Sequence, residues 1–290
     1  MRISEGHKSA QLLTRIQSNL AAKQKAMAEV ATGSRVHKAS DDPEAFAIAA
    51  KFRAQEVRFE RMGQTNDQLS SVLEHSDRML GNATSVLDEA LSVSLQFASD
   101  GYSATQMNAA AQAVAGLKES LLEVANTRFQ GAYVFGGISD QQPPFTSAGD
   151  YQGSDLGKVV EIAPQEFVQT STGSEIFGGQ SNVFQLLDSL ENALLSGDTN
   201  SVRASVDQLR SHRTNVVDAR QEIGHQLETI EHARSFLEVV QAQAKIGAGN
   251  ATDADPAAAI SNLLSTTNTL EALTRSENRM QGLLDQLLKL

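Results

Sequence analysis

Few residues in this chain have the types and spacing that chemistry requires. One Glu-x-x-His pair occurs, Glu222-Ile223-Gly224-His225. Carboxylate-bridged metal sites in helical bundles need two such pairs and two further glutamates. None of His7, His37, His75, His212 and His232 has a Glu three residues before it, and lone histidines on such helices read as solvated surface residues. Glu222 and His225 flank Ile223 instead of sharing its apolar stripe, so a solvated helix face explains them. The stretch Gly131-Ala132-Tyr133-Val134-Phe135-Gly136-Gly137 lacks the Lys-Ser/Thr end of a phosphate loop. It reads as a sharp exit from a helix. Asp41-Asp42-Pro43 could be an acidic metal pair, but a helix start accounts for it fully. Asp42 is a good N-cap, and Pro43 suits the first helical position, where its missing N–H costs nothing. No Gly-x-Ser-x-Gly elbow is present. Zero Cys removes disulfides, thiolate zinc sites and a cysteine nucleophile. No catalytic residue, metal or cofactor is expected, and the chain does not read as an enzyme.

What remains is the scaffold. The 290 residues carry a net charge of −11, and the pI is near 5.0. That acidity argues against nucleic acid, whose phosphates need a basic face. Apolar runs are far shorter than the roughly 18 residues of a membrane span, so no membrane insertion is expected. The first thirty residues are broken by charges and amides every few positions, unlike a secretory signal. The charge is uneven: residues 1–62 sum to +4 and the remainder to −15. A basic front on an acidic body suits contacts between copies, or a solvated face with no partner.

The dominant pattern is helical with a seven-residue period. Leu13, Ile16, Leu20, Met27 and Val30 form one seam, interrupted by Lys23 and closed by Gly33 as a C-terminal cap. A second helix is expected from Pro43 to about Ser99, striped by Val72/Leu73, Ser76, Met79/Leu80, Ala83, Val86/Leu87, Ala90, Val93/Ser94 and Phe97, with weak points at Gly63 and Gly81. Asp100-Gly101 reads as a turn. A third helix carries Met107, Ala110, Val114, Leu117, Leu121 and Val124. Nine glycines and three of the five prolines then fall in residues 131–179. Between them lie β-type runs at 132–135, 158–162, 166–170 and 175–177. Helical grammar returns with Val183, Phe184, Leu187, Leu190 and Leu194. A long helix follows from about Asn200 to Lys245, and Gly247-Ala248-Gly249-Asn250 is expected to break it. The last helix starts at Asp255-Pro256 and carries Ile260, Leu263, Leu270, Leu273, Met280, Leu284 and Leu287.

The expected fold is mainly α: a long antiparallel helical bundle with paired terminal coiled-coil helices and a small central β insert. The boundaries are terminal helices at 1–38 and 250–290, a helical bundle at 39–137 and 181–249, and a β domain at 138–180. Each terminal stripe is too apolar to stay wet and too narrow to fold alone, so each needs a partner. From the pattern alone that partner is the other terminus, a second copy, or both. The candidate interface residues are Leu13, Ile16, Leu20, Met27, Leu263, Leu270, Leu273, Leu284 and Leu287.

These residues also carry a resemblance. Ala31-Thr32-Gly33-Ser34-Arg35-Val36 followed by Ala39-Ser40-Asp41-Asp42-Pro43 resembles the signature of the flagellin superfamily. Gly33, Arg35, Ser40, Asp41, Asp42 and Pro43 stand at its defining positions. Met1-Arg2-Ile3-Ser4, the Ala125-Asn126-Thr127 to Gly137 segment, and Tyr151-Gln152-Gly153 with Val159-Val160-Glu161-Ile162 are similar to the hook–filament junction members of that superfamily. The closing helix matches in character, and the resemblance covers essentially the whole chain. It implies a structural protein without catalysis, exported through the flagellar type III apparatus to the extracellular flagellum. It implies a ring of copies between the first hook-associated protein and flagellin, with an export chaperone on the C-terminal helix. The alternative within the superfamily is a flagellin that builds the filament itself.

Overall fold

The structure is a computed structural model describing the backbone of residues 2–178 and 182–287 and the side chains of residues 10–178 and 182–279. It divides into two units, one of Met1–Arg58 with Val240–Leu290 and one of Phe59–Val239. Six α-helices run through the described residues: α1 (Arg2–Thr32), α2 (Pro43–Phe97), α3 (Ala104–Ala125), α4 (Val183–Ser196), α5 (Thr199–Thr252) and α6 (Pro256–Leu287). Two hairpins complete the fold, β1 (Arg128–Phe129) with β2 (Ala132–Tyr133) and β3 (Val159–Ala163) with β4 (Glu166–Gln169).

In the Phe59–Val239 unit, packing follows the heptads. Leu73, Ser76, Leu80, Ala83, Leu87, Ala90, Ser94 and Phe97 of α2 are buried. So are Met107, Ala110, Val114, Leu117 and Leu121 of α3, and Val202, Val206, Leu209, Val216, Ile223, Ile230 and Leu237 of α5. The amphipathic α4 closes the bundle with Phe184, Leu187, Leu190 and Leu194, against α3. Asp–Arg pairs tie α2 to α5: Asp88 with Arg213 at 2.5 Å, Asp77 with Arg220 at 2.8 Å, and Asp67 with Arg234. Lys118 on α3 donates to both carboxylate oxygens of Asp188 on α4, at 2.6 and 2.7 Å.

Local chemistry sets the ends of these elements. Ser103 and Gln106 form a reciprocal capping box on α3. Gly197 ends α4 in the left-handed region, at φ 71°. The β1–β2 turn places Gln130 and Gly131 at φ 50° and 90°, the two positive angles a type I′ hairpin needs. Pro164 and Gln165 turn β3 into β4, with Gln165 at φ 68°.

The β region has little core of its own and leans on the helices. Asn66 of α2 donates to the carbonyl of Ile162 at 2.9 Å, and Gln226 of α5 donates to that of Gln169 at 2.9 Å. Asn126 clamps Phe145 from both sides, donating to its carbonyl at 3.0 Å and accepting its N–H at 2.9 Å. Phe135, Phe145, Phe177 and Phe184 then pack mostly edge to face, with centroids 5.1–6.2 Å apart.

Several expectations change. α2 runs unbroken through Gly63, because one helical glycine costs only about 1 kcal/mol, less than its neighbours' packing contributes. α5 continues through Gly247–Asn250 to Thr252. A Cβ on Gly247 would come within 2.8 Å of the Phe52 ring, so this glycine serves close helix approach. Residues 175–177 lie in a π-helical turn, Ser174–Gly178, instead of a strand. Of the 132–135 run only Ala132–Tyr133 pairs, because Phe135 turns into the aromatic cluster. His212 is buried, and His75 is half-buried and stacked on Phe129 at 4.8 Å, so neither is a surface histidine.

Candidate assembly surface and its clasp

The signature residues sit where α1 passes into α2, beside the α5–α6 junction. Gly33 leaves α1 at φ 70°, and its carbonyl accepts the N–H of Ala254 at 2.8 Å. Ser34 and Asp253 bridge as a short antiparallel step. The carbonyl of Thr252 accepts three bonds: from Arg35 N at 2.7 Å, Val36 N at 3.3 Å and Ser34 Oγ at 3.1 Å. Thr252 is itself buried, and its hydroxyl donates to the carbonyl of Ala248 at 3.0 Å.

The Arg35 guanidinium spans the joint. It donates to Asp42 Oδ2 at 2.9 Å and to the Ala251 carbonyl at 3.2 Å. Asp42 Oδ1 accepts the N–H of Ala45 at 3.1 Å and so caps α2 ahead of Pro43. Asp41 Oδ2 accepts the N–H groups of His37 and Lys38, each at 3.2 Å. Partial burial would raise the Asp41 pKa, but those two backbone bonds outweigh it, with Lys25 and Lys38 nearby, and hold it below the ordinary value. Asp42 is lowered too, first by the Ala45 N–H and then by Arg35. Ser40 is exposed and Val36 buried. The signature is therefore a clasp that fastens two helix junctions more than 200 residues apart in sequence. Sequence reasoning found its near side and missed its far side, Ala251, Thr252 and Asp253, which carry no motif of their own.

Beyond the clasp α1 packs along α6. From Ala10 to Met27 the covered face of α1 consists of Leu12, Ile16, Asn19, Lys23 and Ala26. Of the expected seam only Ile16 lies on it. Leu13, Leu20, Met27 and Val30 are 55%, 45%, 50% and 41% exposed. Two overlapping 3,4 patterns coexist on α1, and the smaller, more polar one faces the chain's own α6. On α6, Ala259 is buried and Leu263, Leu270 and Leu273 are half-buried, while Ile260 and Leu264 are exposed. Leu284 and Leu287 lie outside the residues whose side chains are described.

Burial in this unit is thus inverted by size. Its buried apolar residues, among those described, are Ala26, Val36, Ala45, Ala49, Ala244, Ala248 and Ala259. None of its large apolar side chains beyond Val36 is fully buried among those described: Leu13, Leu20, Met27, Ile48, Ile246, Ile260 and Leu264 lie open to solvent, and Leu12, Ile16, Phe46, Phe52, Leu263, Leu270 and Leu273 are half-buried. Glu222 and His225 are exposed on α5. No group of three metal-ligating side chains, and no helix long and apolar enough to cross a membrane, occurs among the described residues.

Comparison with known proteins agrees with this geometry. The family model described as the bacterial flagellin N-terminal helical region matches residues 3–140. The flagellar hook-associated protein 3 of Escherichia coli is 26% identical over 283 residues, covering 88% of this chain and 89% of that protein. That of Salmonella typhimurium is 24% identical over 310 residues, covering 98% of each. Among solved structures, a putative flagellar hook-associated protein from Vibrio parahaemolyticus has the same fold at TM-score 0.67 and 17% identity, covering 73% of this chain and all of that one. Xanthomonas campestris FlgL gives TM-score 0.60 at 18% identity, covering 66% of this chain and 97% of that one. With its clasp and its open terminal ridge, the chain is similar over nearly its whole length to flagellar hook-associated protein 3 of two bacteria, and its N-terminal part, residues 3–140, matches the flagellin N-terminal helical region.

Proposed function

We propose that the chain is a structural adaptor of the bacterial flagellum, joining hook to filament and assembling with copies of itself through its terminal helices. The observation that carries this reading is the size-inverted burial of the terminal unit. A self-sufficient domain hides its large apolar side chains. Here they form a ridge on α1 and a patch on α6, held in place by a clasp of hydrogen bonds. Covering the exposed parts of Leu13, Leu20, Met27, Ile260 and Leu264 would contribute roughly 1 kcal/mol each, enough in sum to favour assembly once neighbours are present.

In this reading residues 1–38 and 250–290 are the assembly arms, 39–137 with 181–249 the supporting bundle, and 138–180 the β domain. The first hook-associated protein lies on one side of a ring of copies and flagellin on the other. The chain reaches the extracellular flagellum through the type III apparatus, with a chaperone holding its C-terminal helix beforehand. The near-full-length relatives carry the hook-associated name, which favours the junction over the filament subunit.

The test is a double change, Leu13→Asp with Leu20→Asp, in cells whose own copy is deleted. The expected result is normal folding of the Phe59–Val239 unit, normal export, and no incorporation between hook and filament. Normal motility with that variant would refute the adaptor reading. Filament fragments elongated by the purified chain alone would favour a flagellin.

A further inference from the structure

Zero Cys and zero Trp leave methionine as the most readily oxidised side chain of this molecule. Six methionines are present, and the side chains of Met27, Met62, Met79 and Met107 are described. Three of these belong to the Phe59–Val239 unit and are shielded. Met62 is 8% exposed and Met107 7%, and Met79 packs against the bundle core. Met27 differs. It is 50% exposed and stands on the α1 ridge, in strict seven-residue spacing with Leu20 and Leu13. Among the described residues, the accessible thioether therefore lies on the surface that the adaptor reading covers with a neighbouring copy.

We propose that Met27 is an oxidation site whose state decides whether a free chain can be incorporated. This rests on the adaptor reading above. The oxidant is hydrogen peroxide. The lone pair of Met27 Sδ attacks one peroxide oxygen, so that an S–O bond forms and the O–O bond breaks. Sulfur gives up two electrons and becomes the sulfoxide. The second oxygen leaves as hydroxide and takes the proton shed by the first, giving water. The step asks only for solvent access. It puts a polar, hydrogen-bond-accepting oxygen in the middle of an apolar ridge. Covering that oxygen opposes the burial that drives assembly. Once copies have assembled, Met27 is covered and peroxide no longer reaches it. Sensitivity therefore belongs to the free chain, and reduction of the sulfoxide by a methionine sulfoxide reductase reverses it.

The test treats dilute full-length chain with graded hydrogen peroxide. Peptide mass spectrometry scores the gain of one oxygen at each methionine. Met27 is expected to oxidise about fivefold faster than Met62 or Met107, following exposure. Treated chain is then supplied in the medium to cells whose own copy is deleted, and its incorporation between hook and filament is counted. Oxidation should lower incorporation at least about tenfold, and reductase treatment should restore it. Met27→Leu, close in volume, should incorporate equally well before and after peroxide, although its other methionines still react. Met27→Gln, which carries a polar oxygen without oxidant, should incorporate poorly while its circular dichroism stays unchanged. On intact flagella the same peroxide dose should leave Met27 unmodified. Equal oxidation of Met62 and Met107, or the same loss of incorporation in oxidised Met27→Leu, would overturn the site while untreated chain still assembles. Untreated chain that never incorporates would overturn the adaptor reading, and the role of Met27 with it.

Discussion

At the scale of single residues, the clasp shows how a short motif acts. Arg35 and Asp42 hold the α1–α2 turn, and Ser34, Arg35 and Val36 all converge on one carbonyl, that of Thr252. Arg35→Ala should leave the main unfolding transition unchanged but hasten proteolysis within residues 33–42, scored by mass spectrometry of the first fragments. The acid dependence follows from the two carboxyl groups. Both have folded pKa values below the ordinary 3.8. Their contribution is therefore fully present above that value and is lost as pH falls below it through the lowered values. Amide protection factors at His37, Lys38 and Ala45 should fall on that acid side and stay flat from neutrality down to about pH 5. Gly149 supplies a sharper case. It stands at φ 87°, and a Cβ there would lie 2.3 Å from that of Phe184. Gly149→Ala should destabilise the Phe59–Val239 unit by about 2–4 kcal/mol, read from its denaturant midpoint.

Between elements, burial separates two kinds of apolar stripe that share one period. Leu87 is 1% exposed and Leu20 is 45% exposed, though both belong to heptads of leucine and small residues. Leu87→Ala should cost about 3 kcal/mol in a denaturant titration of the purified chain. Leu20→Ala in the dilute chain should cost less than about 1 kcal/mol, since most of its surface is already wet. The hairpin β3–β4 hangs on two buried amides. Asn66→Leu would remove the donor to the Ile162 carbonyl while keeping comparable bulk. Faster exchange confined to residues 159–169 is the expected outcome, and uniform slow exchange would show that apolar packing suffices.

For the whole molecule, the two units differ in what holds them. The Phe59–Val239 unit has an aromatic cluster, deep leucines and charged pairs between its helices. The unit of Met1–Arg58 and Val240–Leu290 rests on alanine contacts and the clasp. Sub-global opening should therefore begin in the second. Limited proteolysis should cut first at residues 33–40 and 253–255, and within Gly247–Asn250 only later, because α5 stays helical there. Equal resistance throughout would contradict this order.

The sequence by itself determined the helix number, the caps at Asp42 and Asp255, the insert, and the signature that points to a flagellar building block. These are local properties: periodicity, proline and glycine chemistry, and charge spacing act within a few residues. Only the tertiary structure decided which of two interleaved stripes on α1 faces inward, since both share one period and a choice of partner separates them. It also joined Arg35 to Ala251 and Ser34 to Thr252, pairings set by how distant helix junctions meet and written in no local pattern. The glycines at 247 and 249 make the same point. Read alone they signal a break, yet α5 stays helical there, and Gly247 serves instead to let the ring of Phe52 come close.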